Sequence, residues 1–173
     1  MTDRSLYLGY AISKIGKAGT IKIPQLFGDV LSKNSGDLRM FISKSFTENC
    51  WVCYDSGILI LDIDQARYFI YPRNLKPSES VSDLDRSMLS TFFLLNVSLD
   101  YSFKLPAALA GSFIEGEQAV FLSMGHSFEI WKIDDLLNSK HIHKNLRSLI
   151  EREKIGTLLV NCPSSDNLRH MAA

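Results

Sequence analysis

Thr20-Ile21-Lys22-Ile23-Pro24-Gln25-Leu26-Phe27 is answered 82 residues later by Ser102-Phe103-Lys104-Leu105-Pro106-Ala107-Ala108-Leu109. Each copy reads hydroxyl, apolar, Lys, apolar, Pro, two variable residues, apolar. A self-similar pattern at fixed spacing is the signature of a repeated structural unit. Downstream, Met40-Phe41-Ile42-Ser43 is answered by Val120-Phe121-Leu122-Ser123, and Cys50-Trp51-Val52-Cys53 by Phe128-Glu129-Ile130-Trp131. Order and approximate spacing are kept in both halves. The simplest organisation is a first unit over residues 7–57 and a second over 92–137. A helical linker (58–91) joins them, and a C-terminal helix with a loose tail (138–173) follows.

Within each unit the local signals agree on an element order. Alternating apolar and polar residues at 20–23 and 102–105 predict short half-buried strands. Proline then ends each ladder and suits the first turn of a helix, predicted over 25–31 and 107–113. Asn34-Ser35-Gly36-Asp37 releases the first helix and Gly116 the second. Residues 38–43 and 119–123 read as strands, with 50–54 and 128–132 as their return strands. So few strands cannot close a core alone, so the halves are expected to pair with each other or with another chain. In the joining segment, 62–71 reads as helix broken by Pro72, and 76–80 as loop. Ser82 and Asp85 suit a helix start before Leu84, Met88, Phe92 and Leu95 at helical spacing. Residues 133–154 read as one long amphipathic stretch.

Composition narrows the function classes. The chain has 173 residues, 46% hydrophobic and 22% charged, an ordinary globular balance that excludes disorder and collagen-like sequence. No apolar run reaches the roughly 18 residues of a membrane-spanning helix, and Met1-Thr2-Asp3-Arg4-Ser5 does not open a signal peptide. Three cysteines argue against a disulfide framework, so an intracellular location is expected. Cys50 and Cys53 form a C-x-x-C. On a strand, however, residues three apart face opposite ways, and no paired His or Cys completes a zinc site, so both read as structural thiols.

Equal numbers of basic and acidic residues, 19 of each, conceal a pattern. Residues 1–44 carry seven Lys/Arg and three Asp/Glu, residues 45–138 carry six and thirteen, and residues 139–173 six and three. A basic N-terminal third suits phosphate, but so modest an excess taken alone favours a plain solvated surface. Gly16-Lys17-Ala18-Gly19-Thr20 lacks the spacing of a phosphate loop and reads as a turn before the first strand. His141 and His143 would lie on different sides of a helix, His126 reads as a polar loop residue, and Glu129 has no partnered carboxylate. No nucleophile, base and orienter come together, so no enzyme activity, cofactor or metal is expected. Trp51 and Trp131 read as packing anchors.

The tandem units, the Cys50-Trp51-Val52-Cys53-Tyr54 strand and above all Gly125-His126-Ser127-Phe128-Glu129-Ile130-Trp131 resemble the MraZ family of bacterial transcriptional regulators, two SpoVT-AbrB units in one chain. The resemblance covers about residues 8–137. It implies an α+β, mainly β fold in which two AbrB/MazE-like swapped-hairpin half-units pair into a β-barrel. It also implies a homo-oligomeric ring binding double-stranded DNA at repeated sites upstream of a cell-division and cell-wall gene cluster, hence a cytoplasmic, nucleoid-associated protein with no membrane or small-molecule partner.

The DNA-contacting signature of that family is Asp-x-x-Gly-Arg, its arginine four residues before the proline. Here those positions hold Gly16, Gly19 and Thr20 in the first half, and Ser98, Tyr101 and Ser102 in the second. Only Gly19 matches. Arginine reads guanine edges in a bidentate way and clamps phosphate, and a hydroxyl does neither with comparable strength. Lys22 and Lys104 stand two residues along the same strands, on the faces of Thr20 and Ser102, and Lys14 shares that face if the strand extends back to it. A hydroxyl beside a lysine holds phosphate without reading sequence. The candidate DNA-binding residues are therefore Lys14, Lys17, Thr20, Lys22, Ser102 and Lys104. The bland reading of the lysines is solvation of a half-buried strand. Two alternatives to a regulator follow: an assembly or interaction paralogue that has lost specific DNA binding, and, ranked last, an antitoxin-like partner binder.

Overall fold

The computed structural model describes residues 4–60, 90–111 and 113–160. The predicted helix at 62–71, the loop at 76–80, the start of the helix from Ser82 and the tail from Cys162 lie outside the described residues. The chain divides into a sheet-bearing unit up to Leu136 and a helical unit from Leu137.

The first unit is α+β and mainly β. Its strands are β1 (Tyr10–Lys14), β2 (Thr20–Lys22), β3 (Arg39–Lys44), β4 (Cys50–Asp55), β5 (Phe93–Asn96), β6 (Ser102–Lys104), β7 (Gln118–Ser123) and β8 (Phe128–Lys132). Helix α1 (Gln25–Ser35) follows β2, and α2 (Ala107–Ala110) follows β6 at the repeat-equivalent place. Six strands form one antiparallel sheet in the order β1-β7-β8-β4-β3-β5, while β2 and β6 form a separate two-stranded ribbon. Exchange the two repeats, and the order of the large sheet reads the same backwards. The pairs β1–β7, β4–β8, β3–β5 and β2–β6 each join one repeat to the other. The halves thus complete each other within one chain.

The equivalence extends to single hydrogen bonds. Gly16 N–H donates to Thr20 O at 2.7 Å and Ser98 N–H to Ser102 O at 2.8 Å; Ile15 N–H donates to Glu117 O and Val97 N–H to Leu38 O, both at 2.8 Å.

Pro24 and Pro106 occupy the cap position just before their helices, with φ of −56° and −53°, rather than the first turn as expected. Proline fixes the extended entry and has no N–H to leave unpaired. Helix α1 ends at Gly36, in the left-handed region with φ +70°, and its N–H donates to Ser32 O. Its buried residues Phe27 and Leu31 join the core. There Tyr7, Phe27, Phe121 and Phe128 cluster with ring centroids 5.1–6.2 Å apart, drawing on both repeats. Aromatic pairs at this separation and tilt add to the burial term.

Several expectations are corrected. The described strands form no closed barrel, because β1 and β5 stand at the two ends of the ladder rather than pairing. Leu95 belongs to strand β5 and Phe92 lies just before it, so the helical spacing of Leu84 to Leu95 misleads at its end; cross-strand pairing with β3 outweighs local periodicity there. Helix α2 stops at Ala110 and is capped by Gly111, while Gly116 serves the turn into β7 with φ +85°. The stretch 133–154 is two helices, α3 (Ile133–Asn138), across which the unit boundary falls, and α4 (Lys144–Val160). Within the second unit the Arg147 guanidinium donates to the carbonyls of Leu137 and Ser139, satisfying groups exposed where the first helix ends. His141 and His143 lie between α3 and α4, outside either helix.

Cys50 and Cys53 are free thiols, and both are buried, because β4 is an inner strand covered on both faces. Burial pushes both thiols well above their ordinary range, which leaves them unreactive. Trp51 and Trp131 are buried at 6% and 3% exposure, Trp51 opposite Ile130 and Trp131 opposite Cys50 across the β4–β8 junction between repeats.

Candidate nucleic-acid interface

The β2–β6 ribbon brings four of the six candidate residues together. Thr20 lies opposite Lys104, Ile21 opposite Phe103, and Lys22 opposite Ser102. Ile21 and Phe103 are 0% and 3% exposed and face the core. Alternation along a strand therefore places Thr20, Lys22, Ser102 and Lys104 together on the outer face. Both lysines are exposed and both hydroxyl residues are partly so. Each lysine has a hydroxyl directly across from it, and the paired positions are equivalent in the two repeats, so the arrangement has a local twofold through Ile21 and Phe103. Two backbone bonds extend the ribbon symmetrically, Ile23 N–H to Tyr101 O at 2.9 Å and Leu105 N–H to Gly19 O at 3.2 Å.

The other two candidates stand apart. Lys17 is exposed in the 3-10 turn Lys17–Gly19 that leads into β2. Lys14 ends β1, opposite Gln118 in the large sheet. The strand does not run through from Lys14 to Thr20, because the chain turns back so that Ile15 bridges antiparallel to Ile21. The expected shared face of Lys14 and Thr20 is therefore corrected.

The turn before each ribbon strand demands a left-handed residue. Gly19 takes φ +73°, and its repeat-equivalent Tyr101 takes φ +64°. Glycine adopts this conformation without strain, which makes Tyr101 the strained member of the pair. The Tyr101 hydroxyl donates to Asp29 Oδ1 at 2.8 Å, and the ring lies against α1 at Gly28.

Sequence reasoning missed Asp100. Its Oδ2 accepts the Ser102 hydroxyl at 2.8 Å and its Oδ1 accepts the Ser102 N–H at 3.2 Å. These bonds from Ser102, with Lys22 nearby, hold its carboxyl below the usual aspartate range. The signal was present as an aspartate two residues ahead of a serine, the spacing at which a carboxylate bonds the backbone in a turn.

Two other polar clusters lie elsewhere in this unit. Asp55, Arg4, Tyr7 and Asn34 form a buried network near His126, whose imidazole is held below its ordinary range by burial and by Arg4. On β8, Glu129 accepts the Trp131 indole N–H at 2.8 Å. Burial raises its carboxyl above the usual range although that bond pulls the other way, with Glu48 adding to the rise. The folded state therefore holds this proton more tightly than the unfolded chain. Stability should fall as pH rises from the ordinary glutamate range through the raised folded value, and the full cost is present above it. Glu129→Gln, which still accepts from Trp131, is expected to raise Tm at pH 8 by a few degrees and to flatten its dependence on pH. Parallel thermal melts from pH 4 to 8 check this, and a lower Tm at pH 8 would count against it.

Among the described residues, no group of three or more His, Cys, Asp or Glu is placed to hold a metal ion. No helix among them is long and apolar enough to cross a membrane. No protein-family model matches the chain, and no curated protein matches it.

Proposed function

We propose that this protein is a DNA-binding transcriptional regulator of the MraZ kind, non-enzymatic and without a cofactor. On this reading it acts in the cytoplasm on the nucleoid, as an oligomeric ring at repeated sites upstream of a cell-division and cell-wall gene cluster. Its large sheet and ribbon correspond to two swapped-hairpin half-units. One observation carries the reading: the β2–β6 ribbon holds two exposed lysines, each across from a hydroxyl, on one twofold outer face. A two-stranded ribbon fits the major groove of B-DNA. Lysines beside hydroxyls contact the phosphate backbone, which gives affinity and position while reading little sequence. With arginine absent from the motif positions, the binding is salt-sensitive and weakly selective.

The experiment is a fluorescence-anisotropy titration of the full chain against its own upstream DNA and a scrambled duplex over a salt series. A clear preference for the upstream DNA supports a specific regulator, and equal affinities with a steep salt slope support phosphate binding alone. Lys22→Glu together with Lys104→Glu is expected to lower affinity at least about tenfold and to reduce the salt slope. Unchanged affinity in a variant of wild-type secondary structure and oligomeric state would remove the ribbon from the reading.

A second reading, an interaction paralogue of the same fold without specific DNA binding, is favoured by the bond that ties Ser102 to Asp100. It predicts a soluble oligomer that binds neither duplex at low salt.

A further inference from the structure

The ribbon is twofold in its backbone but not in its charge. Its strands are antiparallel, so the turn leading into β2 and the turn leading into β6 lie at opposite ends. At the first end stand Lys17 in the turn, Thr20, and Lys104 across from it. The side chains of Lys17, Thr20 and Lys104 make no hydrogen bond or ion pair with any described residue. At the second end the repeat-equivalents of Lys17 and Ala18 are Leu99 and Asp100. Leu99 is 91% exposed at the tip of a turn closed by Tyr101 N–H donating to Ser98 O at 2.9 Å. Asp100 takes both the hydroxyl and the N–H of Ser102, and it lies within the field of Lys22.

An anion approaching Ser102 beside Lys22 must therefore displace a carboxylate that already holds the Ser102 hydroxyl and N–H. At Thr20 and Lys104 it meets two lysines and an unengaged hydroxyl. Like charges opposing each other on neighbouring positions are unfavourable, so a phosphate diester is drawn to one end and turned from the other.

We infer that the ribbon is one-ended: Lys17, Thr20 and Lys104 form the phosphate-binding end, and Asp100 is an internal counterion that closes the Lys22–Ser102 end to phosphate. This rests on the proposed DNA-binding role and adds to it which residues carry the contact and which residue limits it. It also gives each chain a direction on the duplex that a symmetric ribbon would lack.

The test compares Lys104→Gln, Lys22→Gln and Asp100→Asn in the full chain. All three positions are exposed, where substitutions rarely disturb folding. In low-salt anisotropy titrations with duplex DNA, Lys104→Gln should lose about five- to tenfold in affinity and Lys22→Gln less than about twofold. Asp100→Asn should gain about two- to fivefold and steepen the salt slope by about one. Equal losses from the two lysine variants, or no change with Asp100→Asn, would overturn the inference while leaving DNA binding standing. A second readout does not depend on DNA. In amide-resolved NMR titrations with inorganic pyrophosphate, the signals of Lys17 and Thr20 should shift and that of Ser102 should not, and in Asp100→Asn both ends should respond. If wild-type protein binds no duplex yet gives this pattern, the regulator reading fails and the one-ended ribbon stands. A response at both ends of the wild-type ribbon, or at neither, overturns it.

Discussion

Asp55→Ala is expected to cost about 3–5 kcal/mol of unfolding free energy, the usual penalty for breaking a buried ion pair from one side. Asp55 is 0% exposed at the end of β4. Its two oxygens accept from Arg4 Nη2 at 2.9 and 2.8 Å, from the Tyr7 hydroxyl at 3.1 Å and from Asn34 Nδ2 at 3.2 Å. Asn34 in turn donates to Ser5 O and accepts the Ser5 N–H, each at 2.9 Å. Alanine would strand a guanidinium, a phenol and an amide in the interior, and it would loosen the segment that enters β1 from the end of α1. Burial, and next the Asp55 charge, push the Tyr7 phenol far above its ordinary value, so it remains a donor throughout the accessible pH range. Urea unfolding of the purified variant checks the loss, and a cost below about 1 kcal/mol would show that the network is dispensable. The pair is not a matched fork, because one nitrogen of Arg4 makes both bonds and its buried Nε has no acceptor among the described residues. Arg4→Met combined with Asp55→Leu should therefore cost much less than Asp55→Ala alone.

Gly28→Ala should destabilise by about 1–3 kcal/mol, although alanine improves a helix interior by roughly 1 kcal/mol. A Cβ at Gly28 would lie 2.3 Å from Tyr101 Cδ2 and 2.5 Å from its Cγ. The inner ring atoms cannot move without shifting a residue already held at φ +64° and tied to Asp29. The two repeats solve this contact differently. Where the first helix has Gly28 against Tyr101, the second has Ala110 at the helix position and Gly19 in the turn. Gly28→Ala together with Tyr101→Gly should therefore recover most of the loss, since it removes the ring that the new Cβ would meet. Thermal melts read it directly, at roughly 2–4 °C per kcal/mol for a chain of this size. A single Gly28→Ala variant more stable than wild type would mean that the ring moves aside freely.

Most strands were legible because their information is local or repeated. The apolar-Lys-apolar-Pro pattern located β2 and β6 together with the helices that follow, and the paired hairpins located β3, β4, β7 and β8. Strands β1 and β5 were not. Tyr10–Lys14 has no local boundary signal strong enough to separate it from the turn that follows, and Phe93–Asn96 ends a run with convincing helical spacing. Both are made strands by partners far along the chain, Gln118–Ser123 and Arg39–Lys44, which periodicity in a short window does not register. The same limit applied at the ribbon. Strand alternation put Lys22 with Thr20 and Lys104 with Ser102, but only the register shows that each lysine faces the hydroxyl of the other repeat. The role of Asp100 required knowing which way its turn folds.

The pairing of β1 with β7 sets a timetable for synthesis. Tyr10 lies opposite Leu122, so about 110 residues of chain must follow before the partner of β1 exists. At a translation rate of roughly 5–20 residues per second, the N-terminal strand, and Tyr7 and Phe27 beside it, wait on the order of 5–20 s without their final neighbours. A nascent chain halted after the first repeat holds half of a shared core and a bare strand, the kind of species that chaperones bind and that aggregates when they are scarce.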